Sequence, residues 1–154
     1  MITKILEDVF LGEYSDALNS KALTKEKIDC ILSLRGEGVE EDSFEEIRIC
    51  DWLGIHFHRV PVVDIRGIGS IKIQLKTATF MLDLLTKKYK RILVHCTAGI
   101  DRAPFVVALY LTQLDADLRK ATKLDTSDLK FWLEKAYDFI KEKRPQIMRH
   151  LEWV

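Results

Sequence analysis

Residues Arg91 to Leu111 read RILVHCTAGIDRAPFVVALYL, and the order of residue types in this stretch decides the fold. A β-branched run, Ile92 to Val94, closes on His95-Cys96. The chain then passes through Thr97-Ala98-Gly99-Ile100-Asp101, and Arg102 opens a long apolar run. The pattern predicts strand, loop, helix. Phe105 to Leu111 is strand-like by propensity, but Pro104 presets φ for a first helical turn, and a loop of this kind needs a helix end to close on. Five residues between a cysteine and an arginine can turn successive backbone N–H groups inward as an anion nest, with Gly99 able to take φ > 0. The helix end adds roughly half a positive charge. The Arg102 guanidinium is a planar fork suited to two phosphate oxygens at once. A thiol beneath such a nest is placed to act as a thiolate nucleophile, which makes Cys96 and Arg102 the candidate catalytic pair.

Outward from this stretch, the sequence alternates short apolar runs with helical periods. Ile5-Leu6 and Val9-Phe10-Leu11 stop at Gly12 and predict a short hairpin or edge strand; Ala17, Leu18 and Leu23 predict a helix. Ile28 to Leu34 reads as a buried strand with Cys30 packed at its centre, and Arg35 to Glu46, rich in Gly and Glu, as a solvated surface loop. Ile47 to Asp51 and Ile55 to Val60 each alternate like strands. Val62 to Gly69 is a glycine-containing loop. Ser70 is a candidate N-cap for a helix reaching about Lys88, with Ile71, Leu75, Ala78, Leu82 and Leu85 on one face. Leu118, Ala121 and Leu124 suggest a short helix. Leu129, Leu133, Ala136 and Ile140 suggest another, capped near Ser127 and stopped by Pro145. Strands interleaved with helices are the pattern of an α/β layered sheet.

HCTAGIDRA, residues 95 to 103, resembles the signature loop of the cysteine-based protein tyrosine phosphatases, and the short chain is similar to their dual-specificity branch. Fainter likenesses lie in Val9-Phe10-Leu11-Gly12 with Ala17, in the Cys30 strand, and in Arg144-Pro145 with Ile147, which is similar to the end of dual-specificity domains. The resemblance implies an α/β fold with a central, mostly parallel twisted sheet of four to five strands flanked by helices. It implies that Thr97, Ala98, Gly99, Ile100, Asp101 and Arg102 hold the phosphate, and that His95 orients the loop and favours the thiolate. RVPVVD, ending at Asp64, matches the place where the family carries its general acid. On residue grounds, too, Asp64 is a carboxylate on a loop flanked by glycine, as a mobile proton donor requires. Cys96 would attack phosphorus while Asp64 protonates the departing oxygen, and Asp64 would then act as base toward water on the phosphocysteine. No cofactor or metal is expected: His56 and His58 alternate on one strand without a third ligand at metal spacing.

Two positions depart from the family's pattern. Ala103 stands where a Ser or Thr usually helps the sulfur leave in the second step, with Thr97 a partial substitute. Asp101 puts a carboxylate beside a phosphate cradle, where it repels a dianion. It either turns outward to pair with a basic residue, or serves as a second acid or holds the water. An Asp before the arginine is similar to myotubularin-like and Sac-type lipid phosphatases, and TAG followed by RAP to glucan phosphatases.

The 154 residues suit one domain, 1–154, with a fair-sized core. Lys plus Arg and Asp plus Glu balance at 24 each, which leaves no bulk field to argue for nucleic acid. Charged residues at 31% with few Asn and Gln point to a thermophilic source, and the resemblance implies an archaeal one. Cys30, Cys50 and Cys96 have no paired spacing, Met1 to Phe10 has no signal-peptide pattern, and no apolar run is long enough to cross a bilayer. A monomeric cytoplasmic protein is expected, with phosphorylated proteins as partners and no membrane association. The expected function is metal-independent hydrolysis of phosphotyrosine. The resemblance implies a shallower pocket than that of the longer tyrosine-specific enzymes, whose phosphotyrosine-gripping loop is not located in this sequence, so phosphoserine and phosphothreonine are expected beside phosphotyrosine. Two alternatives stay open: a phosphate-binding module with little turnover, motivated by Ala103 and Asp101, and a phosphatase for lipid, inositol, nucleotide or sugar phosphates.

Overall fold

The computed structural model describes residues 1–36, 43–63, 68–118 and 126–154. Five strands, β1 (Thr3–Lys4), β2 (Val9–Gly12), β3 (Cys30–Ser33), β4 (His56–Arg59) and β5 (Ile92–His95), form one sheet in the order β1-β2-β5-β3-β4. Only β1 runs antiparallel, as the hairpin partner of β2; every other pairing is parallel. The helices are α1 (Tyr14–Ala17), α2 (Ser20–Lys25), α3 (Phe44–Leu53), α4 (Ile68–Thr86), α5 (Arg102–Leu118) and α6 (Thr126–Lys143), followed by a single 3-10 turn, Leu151–Trp153.

A parallel sheet is buried on both faces, which explains why β2, β3 and β5 read as continuous apolar runs. Strand alternation then divides them between two cores. Val9, Leu11, Cys30, Leu32, Ile92 and Val94 join Leu75, Leu82, Val106, Tyr137 and Ile140 under α4, α5 and α6. Phe10, Ile31 and Leu93 face the other way, onto Ala17, Leu23, Cys50 and Ile55.

The register brings three strands to a level finish, with Gly12 opposite His95 and Ser33 opposite His95. The crossovers from β2 to β3 and from β3 to β4 carry α1 to α3, whereas β4 to β5 carries α4, on the opposite face of the sheet. Strand order therefore reverses around β5, and the Cys96 loop leaves its carboxyl end where α/β sheets open a crevice for ligands.

Three local expectations need correction. Ile47 to Asp51, predicted as a strand, lies within α3. Parallel β3 and β4 require a crossover element between them, and Glu46 and Cys50, four apart, share the buried face of a helix. Gly54, at φ 72°, closes that helix in the left-handed conformation. The surface loop predicted over Arg35 to Glu46 therefore ends too late: Phe44 to Glu46 are helical and Glu46 is fully buried, while residues 37–42 lie outside the described residues. Ser70 is not an N-cap, since α4 already starts at Ile68; its hydroxyl accepts from Gln74 Nε2 at 2.9 Å. α6 begins at Thr126, beside the cap expected near Ser127, and Leu118, expected in a short helix of its own, ends α5, with Ala121 and Leu124 outside the described residues. α6 stops at Lys143, just ahead of Arg144-Pro145, because the residue before a proline disfavours helix.

Candidate active site

The loop from Cys96 to Asp101 is held by its carbonyls. Thr97 O accepts from the Tyr14 amide at 3.0 Å, Ile100 O from the Met148 amide at 2.8 Å and Asp101 O from the Phe105 amide at 3.2 Å. Gly99 O accepts from Arg144 Nε at 3.0 Å. Among the described residues, the amides of Ala98, Gly99, Ile100 and Asp101 donate to no protein acceptor. A backbone whose oxygens are tied outward and whose successive N–H groups are left unbonded is an anion nest, opening at the amino end of α5. Gly99, at φ 68°, makes the turn possible. Any Cβ there would sit 2.5 Å from Gly12 O and 2.8 Å from Arg144 Nη2. Cys96 lies at the base of the loop, 2% exposed, one residue past the end of β5.

His95, the residue before that cysteine, is fully buried. Its Nδ1 donates to Cys96 O at 3.1 Å, and its Nε2 meets the carboxylate of Glu46 from α3. The carbonyl fixes a proton on Nδ1, and the ring's other nitrogen faces the Glu46 carboxylate in a fully buried contact. Among the described residues Glu46 Oε2 has no hydrogen-bond partner, so the carboxylate is committed to the ring.

Arg102, the first residue of α5, ties the loop to the ends of its neighbours. Nη1 donates to Val62 O at 3.0 Å and to Leu34 O at 3.5 Å, and Nη2 to Thr97 Oγ1 at 3.4 Å. Thr97 and Ala98 are exposed at the mouth. Beside them, the Arg35 guanidinium lies 3.5 Å over the Tyr14 ring, and Arg59 braces Arg35 O at 3.0 Å and Ser43 Oγ at 2.9 Å. Asp64 lies outside the described residues. The chain approaches it through Val62, whose carbonyl Arg102 holds, and Val63, whose amide donates to Gln74 Oε1 at 2.6 Å.

Asp101 turns away to a basic partner, the first of the two outcomes expected for it: Oδ1 accepts from His150 Nε2 at 2.7 Å. His150 Nδ1 meets Glu152 Oε1 at 2.8 Å, and its ring stacks on Trp153 at 3.8 Å between centroids. Burial works against a charge on this ring, but the bonds to Asp101 and Glu152 outweigh it and hold His150 above its ordinary value. Cys30 and Cys50, by contrast, are buried thiols pushed up to about 12 by loss of solvation, with Asp29 adding to the effect at Cys30 and Glu46 at Cys50. Both His56 and His58 pack against the Tyr89 ring, at 4.8 and 6.0 Å between centroids.

A family model described as the dual specificity phosphatase catalytic domain matches residues 9–124. The chain belongs to this family. As a dual-specificity phosphatase domain it is 29% identical to human dual specificity protein phosphatase 16 over 145 residues, 94% of this chain and 18% of that protein. It is 26% identical to mouse dual specificity protein phosphatase 14 over 150 residues, 97% of this chain and 64% of that protein. The chain thus spans less than two thirds of either relative. Among solved structures, the Yvh1 phosphatase domain from Chaetomium thermophilum superposes with a TM-score of 0.71 at 18% identity, covering 99% of this chain and 92% of that one. DUSP15 superposes at 0.67 and 23% identity, covering 99% and 81%. At these identities the likeness shows the fold.

The structure brings Cys96, the 97–101 loop, Arg102 and His95 together at the carboxyl end of β5. Three further residues of this dual-specificity phosphatase domain went unassigned in the sequence. Glu46 sat in a charged run read as solvent-facing, and only its four-residue spacing to Cys50 signalled a buried helical face. Arg144 stood out as part of a family-like ending, with nothing in the sequence to say that it grips Gly99. His150 carried no local signal at all, because its partner lies 49 positions away.

Proposed function

We propose that this domain is a metal-independent protein phosphatase that hydrolyses phosphotyrosine, and phosphoserine and phosphothreonine beside it, through a phosphocysteine on Cys96. The observation that carries the reading is the run of four amides, 98 to 101, that donate to no acceptor among the described residues, between Cys96 and Arg102 at a helix N-terminus. Phosphoryl transfer asks for a nucleophile, donors on the equatorial oxygens and a proton for the leaving oxygen, and this chain's own side chains supply each role. Cys96 Sγ attacks phosphorus, the ester P–O bond breaks, and Asp64 delivers its proton to the departing oxygen. Water then attacks the phosphocysteine, giving a proton back to Asp64, and the sulfur leaves as thiolate with release of inorganic phosphate. Arg102 and the loop amides hold the three oxygens throughout. Phosphorylated proteins of the cytoplasm are the substrates of this reading, met by a monomer.

The test is hydrolysis of an aryl phosphate with excess chelator present. Turnover should persist in chelator and vanish in Cys96→Ser; full activity in that variant would sink the proposal. Asp64→Ala should cost on the order of a hundredfold and remove the alkaline limb of the pH profile. A panel of phosphotyrosyl, phosphoseryl and small-molecule phosphates separates protein from metabolite substrates.

A second reading, phosphate recognition with slow turnover, draws on Ala103. The residue after Arg102 is fully buried and carries no hydroxyl to assist the departing sulfur. It predicts a burst of released alcohol followed by a slow steady state. A single-phase time course in wild type would exclude it.

A further inference from the structure

The carboxylate of Asp101 is one residue from Arg102, inside a loop whose purpose on the reading above is to hold a dianion. Left bare it would oppose that purpose across a few ångströms of protein. The structure shows how the opposition is met. His150 Nε2 lies 2.7 Å from Asp101 Oδ1, and the other ring nitrogen lies 2.8 Å from Glu152 Oε1, so both nitrogens face carboxylates and the ring is seated to donate from each. It is also fixed in orientation: it lies flat on Trp153, tilted only 8°, and Trp153 meets Phe105 of α5's first turn edge-on at 5.5 Å. The His150 amide donates to Tyr137 Oη at 3.3 Å, and two residues earlier the Met148 amide holds Ile100 O. Arg149 turns to Glu134 and Asp138 on α6, leaving Asp101 to His150. The groups whose charge reaches the ring are Asp101 from the loop and Glu152 from the 3-10 turn, with the Tyr137 hydroxyl facing the same segment from α6.

We propose that His150 is a positioning residue of the phosphate site: in its protonated form it offsets the charge of Asp101, the carboxylate that lies within the loop, while the half-exposed Glu152 bonds the ring's other nitrogen. The proposal rests on the phosphatase reading and deepens it. Its signature is an effect on anion affinity that depends on pH, on His150 and on Asp101 together. When His150 loses its proton, the loop gains a net negative charge and a bound dianion is weakened, by a factor on the order of ten for charges several ångströms apart in a partly solvated site. By reciprocity, a bound dianion must strengthen the ring's hold on its proton. The bond between ring and loop keeps Asp101 oriented as well, but orientation alone would not make affinity follow the ring's charge.

The experiment measures binding of inorganic sulfate, a dianion throughout the range, to the Cys96→Ser protein from pH 5.5 to 9, which removes both turnover and thiol titration from the readout. Affinity should be flat at low pH and fall on the order of tenfold as pH rises through the raised folded value of His150. His150→Gln should be weak throughout, Asp101→Asn tight throughout, and the double variant should follow Asp101→Asn. The NMR titration of the His150 ring in the otherwise unaltered Cys96→Ser protein, free and saturated with sulfate, gives a readout needing no change at His150; its midpoint should move to higher pH when sulfate is bound. Sulfate affinity that ignores pH, a ring midpoint that stays put, or a double variant as weak as His150→Gln alone would overturn the role of His150 while leaving the phosphate site standing. No sulfate binding at any pH would overturn both.

Discussion

At the scale of single residues, the site depends on positions with no tolerance for change. Gly99 combines a left-handed φ of 68° with backbone packed where a side chain would begin, 2.5 Å from Gly12 O. Gly99→Ala incurs the left-handed penalty of about 1–2 kcal/mol together with a clash against backbone that cannot swing aside. A total loss beyond about 3 kcal/mol is expected, lowering Tm by roughly 6–12 °C in a chain of this size; calorimetry measures it. Glu46→Gln tests the buried pair that His95 makes with Glu46. The amide keeps the shape and a hydrogen-bonding end but discards the charge, so the His95 ring keeps a neighbour and loses its carboxylate. Turnover of an aryl phosphate should fall on the order of tenfold with KM little changed, the scale seen when an orienting carboxylate is removed from a histidine. A change in KM alone would place Glu46 in substrate binding instead.

Elements show how much could be read in advance. β5, its loop and α5 were legible because three signals agreed: a β-branched run, a glycine turn and a proline at a helix start. α3 was not. Its isoleucines alternate as a strand's would, and what settles the matter is topology, the crossover that two parallel strands demand, which no local window contains. Arg144 belongs to this scale because it couples elements distant in sequence. Buried to 2% beyond the end of α6, it donates to Gly99 O, to Met1 O at 2.7 Å and to Thr3 Oγ1 at 2.9 Å. Arg144→Met keeps the aliphatic bulk and strands those acceptors. A destabilisation of about 2–4 kcal/mol is expected from urea unfolding, with a parallel drop in phosphate affinity as Gly99 loosens. Loss of stability without loss of affinity would separate the brace from the loop.

For the molecule as a whole, titration links the site to stability. His150 is held above its ordinary value in the folded chain, so its contribution is fully present below about pH 6.5 and is lost as pH rises through the folded value. The buried thiols act later: Cys30 and Cys50 stay protonated in the fold up to about 12, against an ordinary 9.0, so stability drains again as the unfolded chain ionises above pH 9. Urea midpoints measured from pH 5.5 to 11 should therefore fall in two stages, and His150→Gln should erase the first alone. Composition foretold neither stage. A balance of 24 basic and 24 acidic side chains describes the average field, whereas the first effect arises from two carboxylates bonded to one ring and the second from the burial of two thiols.

Tyr14, Arg144, Met148 and Phe105 pin the oxygens of the 97–101 turn from four separate directions. An arriving oxyanion meets a mould already cast. Little ordering entropy remains to be surrendered at capture, so the on-rate should be set by diffusion and access rather than by rearrangement. The same stiffness fixes the attacking distance in advance, and a phosphoryl group seated slightly askew will find no slack in the backbone to accommodate it.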